Sequence, residues 1–462
     1  MKKTFFVLYA FCLLLSPIGA QQIPSFKPND GVMFLGNSIT EGGYYHSYIW
    51  LYYMTHFPDL PLHIYNGGIG GDCVSHMNFR FDADIKVKKP TYLICSFGMN
   101  DSGFDGYNQS GSEEYATKQL NNARSVFETL QQKILAEKTI RSVVLLGSPP
   151  YDENVKLEGV EVLHGKNETI KRIIDMQSEV ANNRGWGLVN FNPVMCELNK
   201  RVQHSDSTAT FCGGDRIHPN KDGHMIMAYL FLKAQGLAGK EVAYFHINAN
   251  NRKVMDERNC RISHLKQNET TLSFKYLAKS LPYPIDTIPR WGTTGTVRDA
   301  IKQIPFMQEM DQEVMKVVGL SGLFRVSIDG VDIGNWNGNE LDRGVNLAEI
   351  AFTPQYQQSL SIMYLNEERC ALEKRLRQYM AMQYVFFKNR GLLFADNRAA
   401  LDAAKAERNS HYLVKYLYSN YTQAIFPQVR EAWKAEMSQL ISEIYKINKP
   451  LTRLIKIERI KK

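Results

Sequence analysis

The sequence predicts an α/β protein of three layers, a five-stranded parallel sheet covered by helices on both faces, with a small β module and long helices after it. Three observations predict this. Short apolar runs alternate with helix-length stretches through the first half of the 462 residues, the pattern of strand–helix–strand units. Each run ends in glycine or a polar residue, which gathers polar groups along one edge of the sheet. Beyond about Glu241 the pattern changes to strands of alternating polarity and then to long helical stretches, so the chain needs more than one core.

The parallel strands are read at Val32–Leu35, Leu62–Tyr65, Tyr92–Phe97, Ser142–Gly147 and Gly187–Phe191, each a short apolar run with little alternation. Helices are expected at Tyr44–Phe57, Ser112–Glu137, Lys166–Asn183 and Gly223–Ala234. Val242–Ile247, Thr271–Tyr276 and Leu323–Gly330 alternate as strands of one antiparallel sheet, with Pro282, Pro284 and Pro289 marking a loop. A helix at Val297–Ile304 or Gln308–Val318 is expected to lie against that sheet. Gln355–Arg390 and Asn397–Tyr445 read as two long helices. The expected units are a leader at 1–20, a catalytic domain at 21–240, a β-rich module at 241–345 and a helical extension at 346–462.

Four short segments carry chemistry. Ser38 lies in Gly36-Asn37-Ser38-Ile39-Thr40, directly after the first strand. It is a nucleophile or a plain helix cap. Asn66-Gly67-Gly68-Ile69-Gly70-Gly71-Asp72 follows the second strand. Its glycines let the backbone approach a substrate and turn the Gly71 amide toward it, or simply form a flexible turn. Without a Gly-Lys-Ser/Thr ending it does not read as a phosphate loop. Asn100, in Gly98-Met99-Asn100-Asp101 after the third strand, offers an amide donor or forms an Asn-Asp turn. Asp215 and His218, three apart in Asp215-Arg216-Ile217-His218-Pro219, suit a carboxylate orienting an imidazole base. Alone they would read as a surface turn or half a metal site. Together the segments supply a nucleophile, a base, an orienting acid and oxyanion donors, the parts an ester hydrolase needs.

In order and strand-end placement these segments resemble the SGNH hydrolases, the GDSL-like lipase/acylhydrolase superfamily, from about Gly31 to about Ala238. The resemblance implies a flavodoxin-like parallel sheet, with Ser38 as nucleophile and Asp215 and His218 as acid and base. It also implies an oxyanion hole from the Ser38 and Gly71 amides and the Asn100 side chain. Asn37 stands where that family usually has aspartate. Turns at Gly344–Ala348 and Thr353-Pro354 resemble a C-terminal extension of some bacterial members.

Lys2-Lys3, an apolar core from Thr4 to Leu15 and Ser16–Ala20 before Gln21 read as a signal peptide, so the expected location is the periplasm or the exterior. No other stretch is apolar enough for a membrane span. The net charge of +8 is diffuse except in the tail Lys446–Lys462, expected to be a solvated helix face or frayed end. Neither nucleic acid nor a cofactor is implied, and no cluster has metal-ligand spacing. An oxidising compartment would permit a Cys196–Cys212 bridge bracing the Asp215–His218 loop, and Cys95 reads as a buried small hydrophobe. His46 and His76 either line the substrate mouth or are exposed or satisfied histidines. Trp291, Trp336 and Tyr283 form either a sugar-stacking platform or core and loop anchors.

The sequence therefore predicts an exported serine esterase that removes small acyl groups, acetyl in the first instance, from carbohydrate or another acylated small molecule. The substrate-binding residues are not legible. The alternatives are a lipase or lysophospholipase, against which stands the lack of an apolar lid, and a non-catalytic glycan-binding protein on the same scaffold. All four motifs precede Pro219, so a chain ending near Gly239 is expected to keep activity on a small ester and lose it on a polymer.

Overall fold

The computed structural model describes residues 23–285 and 296–460. The expected signal peptide and Trp291 lie outside the described residues. The first sheet holds β1 (Gly31–Gly36), β2 (His63–Gly68), β3 (Tyr92–Phe97), β4 (Ser142–Gly147) and β5 (Gly187–Asn190). Their order is β2-β1-β3-β4-β5, and every pair is parallel.

Period-two alternation splits these strands between two cores. Val32, Phe34, Ile94, Val144 and Leu146 face one layer, built on α2 (Tyr44–His56), α6 (Asn192–Gln203) and α7 (Lys221–Ala234). Met33, Leu35, Leu93, Cys95, Phe97 and Leu145 face the other, covered by α3 (Val74–Arg80), α4 (Ser112–Ala136) and α5 (Lys166–Arg184). The short α1 (Ser38–Glu41) sits between β1 and α2. A sheet buried on both faces explains the unbroken apolar runs, and Cys95 is one of its small core residues.

The second half holds a β-sandwich. One sheet, ordered β13-β10-β6-β7, contains β6 (Ala243–Asn248), β7 (Lys253–Arg258), β10 (Glu313–Val318) and β13 (Val345–Asn346). The other, ordered β12-β11-β14-β9-β8, contains β8 (Cys260–Gln267), β9 (Thr271–Ala278), β11 (Leu323–Ile328), β12 (Val331–Asn337) and β14 (Arg453–Arg459). Phe245, Ile247, Met315 and Val317 of the first enclose one core with Phe274, Val326, Ile455 and Ile457 of the second.

Four expectations are corrected here. Val242–Ile247 does not join the strands at Thr271 and Leu323 in one antiparallel sheet, because β6 pairs in parallel with β10 in the facing sheet. Gln308–Val318 is not one helix. Only α9 (Phe306–Met310) is helical, and Glu313, Met315 and Val317 point inward at period two, the mark of a strand. The expected helix Asn397–Tyr445 is three helices, α12 (Arg398–Ala406), α13 (Val414–Ala424) and α14 (Pro427–Ile447), since a polar run from Arg408 to His411 and Pro427 at a helix start break it. Beyond Lys446 and Ile447, which end α14, the described part of the basic tail is neither helix nor frayed end. It forms β14, whose Ile455 and Ile457 are buried between β9 and β11.

Helix α8 (Arg298–Gln303) lies against α7 and not against the sandwich, the Ala300 amide donating to Asp222 at 2.8 Å. Helix α10 (Gly338–Arg343) caps the sandwich edge, with Leu341 in its core. Helix α11 (Pro354–Ala381) opens on a Thr353 cap with Pro354 in its first turn, where a missing N–H costs nothing. It runs from the sandwich, where Gln355 donates to Glu313 at 3.0 Å, past α2, where Asn366 donates to the Ser47 hydroxyl at 2.8 Å. It then reaches the open end of the parallel sheet. There Glu373 accepts from the Asn66 amide at 2.9 Å and Arg377 donates to the Gly68 carbonyl at 3.0 Å. Tyr283, buried against Phe306, and Trp336, packed on the sandwich core, are anchors and do not form a platform.

Candidate active site

At the end of β1 the chain turns sharply. Asn37 caps α1, its side-chain oxygen accepting from the Ile39 amide at 3.0 Å, so the asparagine does the local work of an aspartate. Ser38 is the first residue of the helix, where backbone amides have no helical partner. Its Oγ lies 2.7 Å from His218 Nε2, and His218 Nδ1 lies 2.5 Å from Asp215 Oδ2. A carboxylate only accepts, so Nδ1 carries the ring proton and Nε2 is left to accept from the Ser38 hydroxyl. The other Asp215 oxygen accepts from the Ile217 and His218 amides at 3.0 and 2.9 Å. Partial burial pushes the Asp215 carboxyl up, but its bonds from the His218 ring and amide, with the ring's charge and the Ile217 amide, outweigh that and hold it below its ordinary value.

The loop carrying these residues is held from beneath. Arg216 sits at φ +68°, a conformation that non-glycine residues adopt only when surroundings impose it. Its buried guanidinium donates to the Asp152, Val155 and Val160 carbonyls, at 2.5 Å for Val155. Cys196 and Cys212 do not bridge. Cys196 Sγ bonds to the Asn167 and Asn192 side chains, and Cys212 Sγ donates to the Pro150 carbonyl at 3.2 Å.

Gly67 and Gly68, the last residues of β2, serve packing more than substrate approach. A Cβ on Gly68 would fall 2.1 Å from the Glu41 nitrogen, and one on Gly67 would fall 2.8 Å from Met33 Sδ. Gly71 alone takes φ +80° with open space before it, and no described group accepts its amide. Asn100 Nδ2 donates one hydrogen to the Asp72 carbonyl at 3.0 Å, which fixes the amide plane and leaves the second hydrogen for a ligand. Asp101 ties this loop down through the Val74 and Gly98 amides, both at 2.8 Å. Lys166 clamps it from the far side, its ammonium donating to the Met99 and Gly103 carbonyls and the Ser102 hydroxyl while lying 3.8 Å from the Phe104 ring centre. Burial pushes Lys166 down to about 7.

The expected triad and oxyanion residues thus converge at adjoining strand ends. His46 does not line the mouth: it is wholly buried, bonded to the Thr40 carbonyl, and burial pushes it down to about 4. His76 is exposed and lines, together with Gly71, a cleft of about 160 Å³ whose walls are Gly70–Asp72 and Phe79 on one side and Tyr384, Lys388 and Tyr412 of the helical region on the other; Ser38, Asn100 and His218 lie outside that lining. Sequence reasoning missed Arg80, Asp84, Lys166, Arg216, Glu373 and Arg377. Arg80 and Asp84 stand one helical turn apart, a readable pairing; Arg369, Glu373 and Arg377 repeat that spacing, and Arg369 pairs with Glu373 at 2.9 Å, but nothing local says that they face the parallel sheet.

Comparison with known proteins places the chain in a family. A model of the GDSL-like lipase/acylhydrolase family matches residues 34–226, and a model described as the diltiazem deacetylase C-terminal helical domain matches residues 360–449. A solved structure of a gut microbial diltiazem-metabolizing enzyme is 45% identical, covers 96% of this chain and 100% of its own, and superposes with a TM-score of 0.92. An acetylxylan esterase of Geobacillus stearothermophilus is 24% identical over 224 residues, 44% of this chain and 93% of its own. Fold and relatives define a carboxylic-ester hydrolase. The chain belongs to the GDSL-like (SGNH) hydrolase superfamily, in a form that carries a C-terminal helical domain.

Proposed function

We propose that this chain removes acetyl groups from O-acetylated alcohols, with Ser38 as nucleophile, His218 as base and Asp215 as its orienting acid. The observation that carries the reading is the continuous line Asp215–His218–Ser38, at 2.5 and 2.7 Å, opening beside Gly71 and Asn100. Ser38 Oγ attacks the acyl carbon as its proton passes to His218 Nε2. The negative charge on the carbonyl oxygen is met by the Ser38 and Gly71 amides and the second hydrogen of Asn100 Nδ2. His218 returns the proton to the departing alcohol, and a water repeats the sequence to release acetate. His218 and Asp215 are each about half exposed, which suits a bulky alcohol entering from solvent.

Acetyl as the acyl group is supported by the name of the acetylxylan esterase and by that of the diltiazem deacetylase helical-domain family. For the alcohol, carbohydrate is supported by the acetylxylan esterase and by the expected export of the chain. A second reading, an acetylated aromatic molecule, is favoured by the cleft of Phe79, Tyr384 and Tyr412. The helical region that forms half of it is shared with the diltiazem-metabolizing enzyme. The test is hydrolysis of 4-nitrophenyl acetate, acetylated xylo-oligosaccharide and diltiazem by wild type and Ser38→Ala. Ser38→Ala should lose on the order of 10³-fold or more, and the ratio of kcat/KM between the last two substrates decides the alcohol. Undiminished turnover by folded Ser38→Ala would refute the assignment. Export is tested by fractionating cells and sequencing the mature N-terminus.

A further inference from the structure

A buried chain of charges joins α11 to the open end of the catalytic sheet. Arg377 grips both oxygens of Asp84, at 2.9 Å each, while its Nε holds the Gly68 carbonyl. Asp84 Oδ2 also accepts from Arg80 Nη1 at 2.6 Å. Arg80 then spends its other donors on Asp72 Oδ2 at 2.7 Å and on the carbonyls of Gly67 and Gly36 at 2.6 and 3.2 Å. Asp72 follows Gly71, and its carbonyl is the one that orients Asn100. Two guanidinium groups and two carboxylates, all buried, form a neutral set in which each rigid fork dictates where its partners stand. Burial pushes the Asp84 carboxyl up, yet Arg377 and Arg80 together bring it below its ordinary value. The points these forks hold are the residue two before Ser38, the end of β2 and the residue beside Gly71.

We infer that Arg377, on the helical extension, is a positioning residue for the oxyanion hole, acting through Asp84, Arg80 and Asp72 on the Gly71 amide and the Asn100 side chain. This rests on the oxyanion role proposed for those two groups. The extension then does more than wall the cleft: it fixes the geometry in which carbonyl charge is received. Without the Arg377 fork, Asp84 keeps one partner, Arg80 is free to turn toward it, and Asp72 with the Asn100 amide moves by a fraction of an ångström. Oxyanion contacts strengthen as charge develops, so the loss should fall on kcat more than on KM.

The test is a double-mutant cycle on the full-length protein with 4-nitrophenyl acetate, using Arg377→Met, Asn100→Ala and both together, with a thermal melt of each. Arg377→Met should lower kcat roughly 10- to 100-fold with KM nearly unchanged. In the double variant its added loss should be clearly smaller than on the wild-type background, because one of the two donors it positions is already gone and only the share carried by the Gly71 amide is left. Should Arg377→Met not fold, Arg377→Lys, which keeps the charge without the fork, is read in the same cycle by the same criteria. Losses that multiply, or a folded variant with wild-type kcat, would overturn the inference. Wild-type kcat in Asn100→Ala would instead overturn the oxyanion reading beneath it, and the role of Arg377 with it.

Discussion

Gly68→Ala should damage catalysis from a position that touches neither the base nor the expected substrate path. The added methyl would lie 2.1 Å from the Glu41 nitrogen, 2.6 Å from the Thr40 carbonyl carbon and 2.7 Å from the Glu41 Cα. Carbon contacts settle at about 3.5–4.0 Å, so α1 and β2 must separate by about 1 Å or more. The strand cannot retreat easily, since the Gly68 amide donates to Asn66 Oδ1 at 2.9 Å and its carbonyl is held by Arg377. The yielding element is α1, which carries Ser38 at its first position. Overpacking of this kind costs about 1–3 kcal/mol, and displacing a reacting atom by about 1 Å costs on the order of 10²-fold in rate. Kinetics on 4-nitrophenyl acetate and a thermal melt read both effects. Gly214→Ala is the control, since its methyl meets nothing within 4 Å and its backbone is not left-handed. Wild-type kcat and melting in Gly68→Ala would show that α1 yields without moving Ser38, and the argument would fail.

Three further outcomes follow. Asp215→Asn should lower kcat on the order of 10³–10⁴-fold, because an amide cannot fix the His218 tautomer, with little change in melting for a half-exposed side chain; a rate within a few-fold of wild type would remove Asp215 from its role. A chain ending near Gly239 should not fold into an active enzyme even toward a small ester, contrary to what motif positions alone suggest. It loses the Arg377–Asp84 and Glu373–Asn66 contacts, and stripping one partner from a buried pair costs about 3–5 kcal/mol against a total stability of about 5–15 kcal/mol; a soluble, cooperatively melting, active fragment would refute this. Asp84→Asn should lower the melting temperature most near neutral pH. The folded Asp84 pKa is below the unfolded value, so the stability its charge contributes is complete above ~3.9 and is lost as pH falls through the folded pKa. A wild-type-minus-variant difference that stays constant from pH 7 to pH 3 would contradict the sign.

The catalytic layer was legible because its strands are buried on both faces. Val32–Leu35 and Tyr92–Phe97 need unbroken apolar sequence, and the structure places them where that reading does. Ser38, Gly71, Asn100, Asp215 and His218 were legible as candidates because each sits at a strand end or turn that announces itself locally. The sandwich was less so. Glu313–Val318 is compatible with either period over so short a run, and what decides is the partner strand β6, far away in sequence. Gly68 was read as room for a substrate, whereas the room is taken by the backbone of α1. Arg377 was invisible for a plainer reason. On a charged helix an arginine looks like solvent-facing surface, and only the tertiary structure brings Asp84 to it.

The placement of β14 has a consequence for how the molecule is made. This strand lies in the middle of its sheet, hydrogen-bonded to β11 on one side and β9 on the other, yet it comes after every strand it joins. Until synthesis passes Arg459, β9 and β11 stand as two open edges with no neighbour between them, exposing Phe274 and Val326 that Ile455 and Ile457 later help to cover. Such edges are templates for wrong pairing, and a pairing so distant along the chain forms slowly. The nascent protein must therefore hold an unfinished sheet from the making of β11 until almost its last residue, so the slow step in its maturation should be closure of the sandwich, with the parallel sheet already formed.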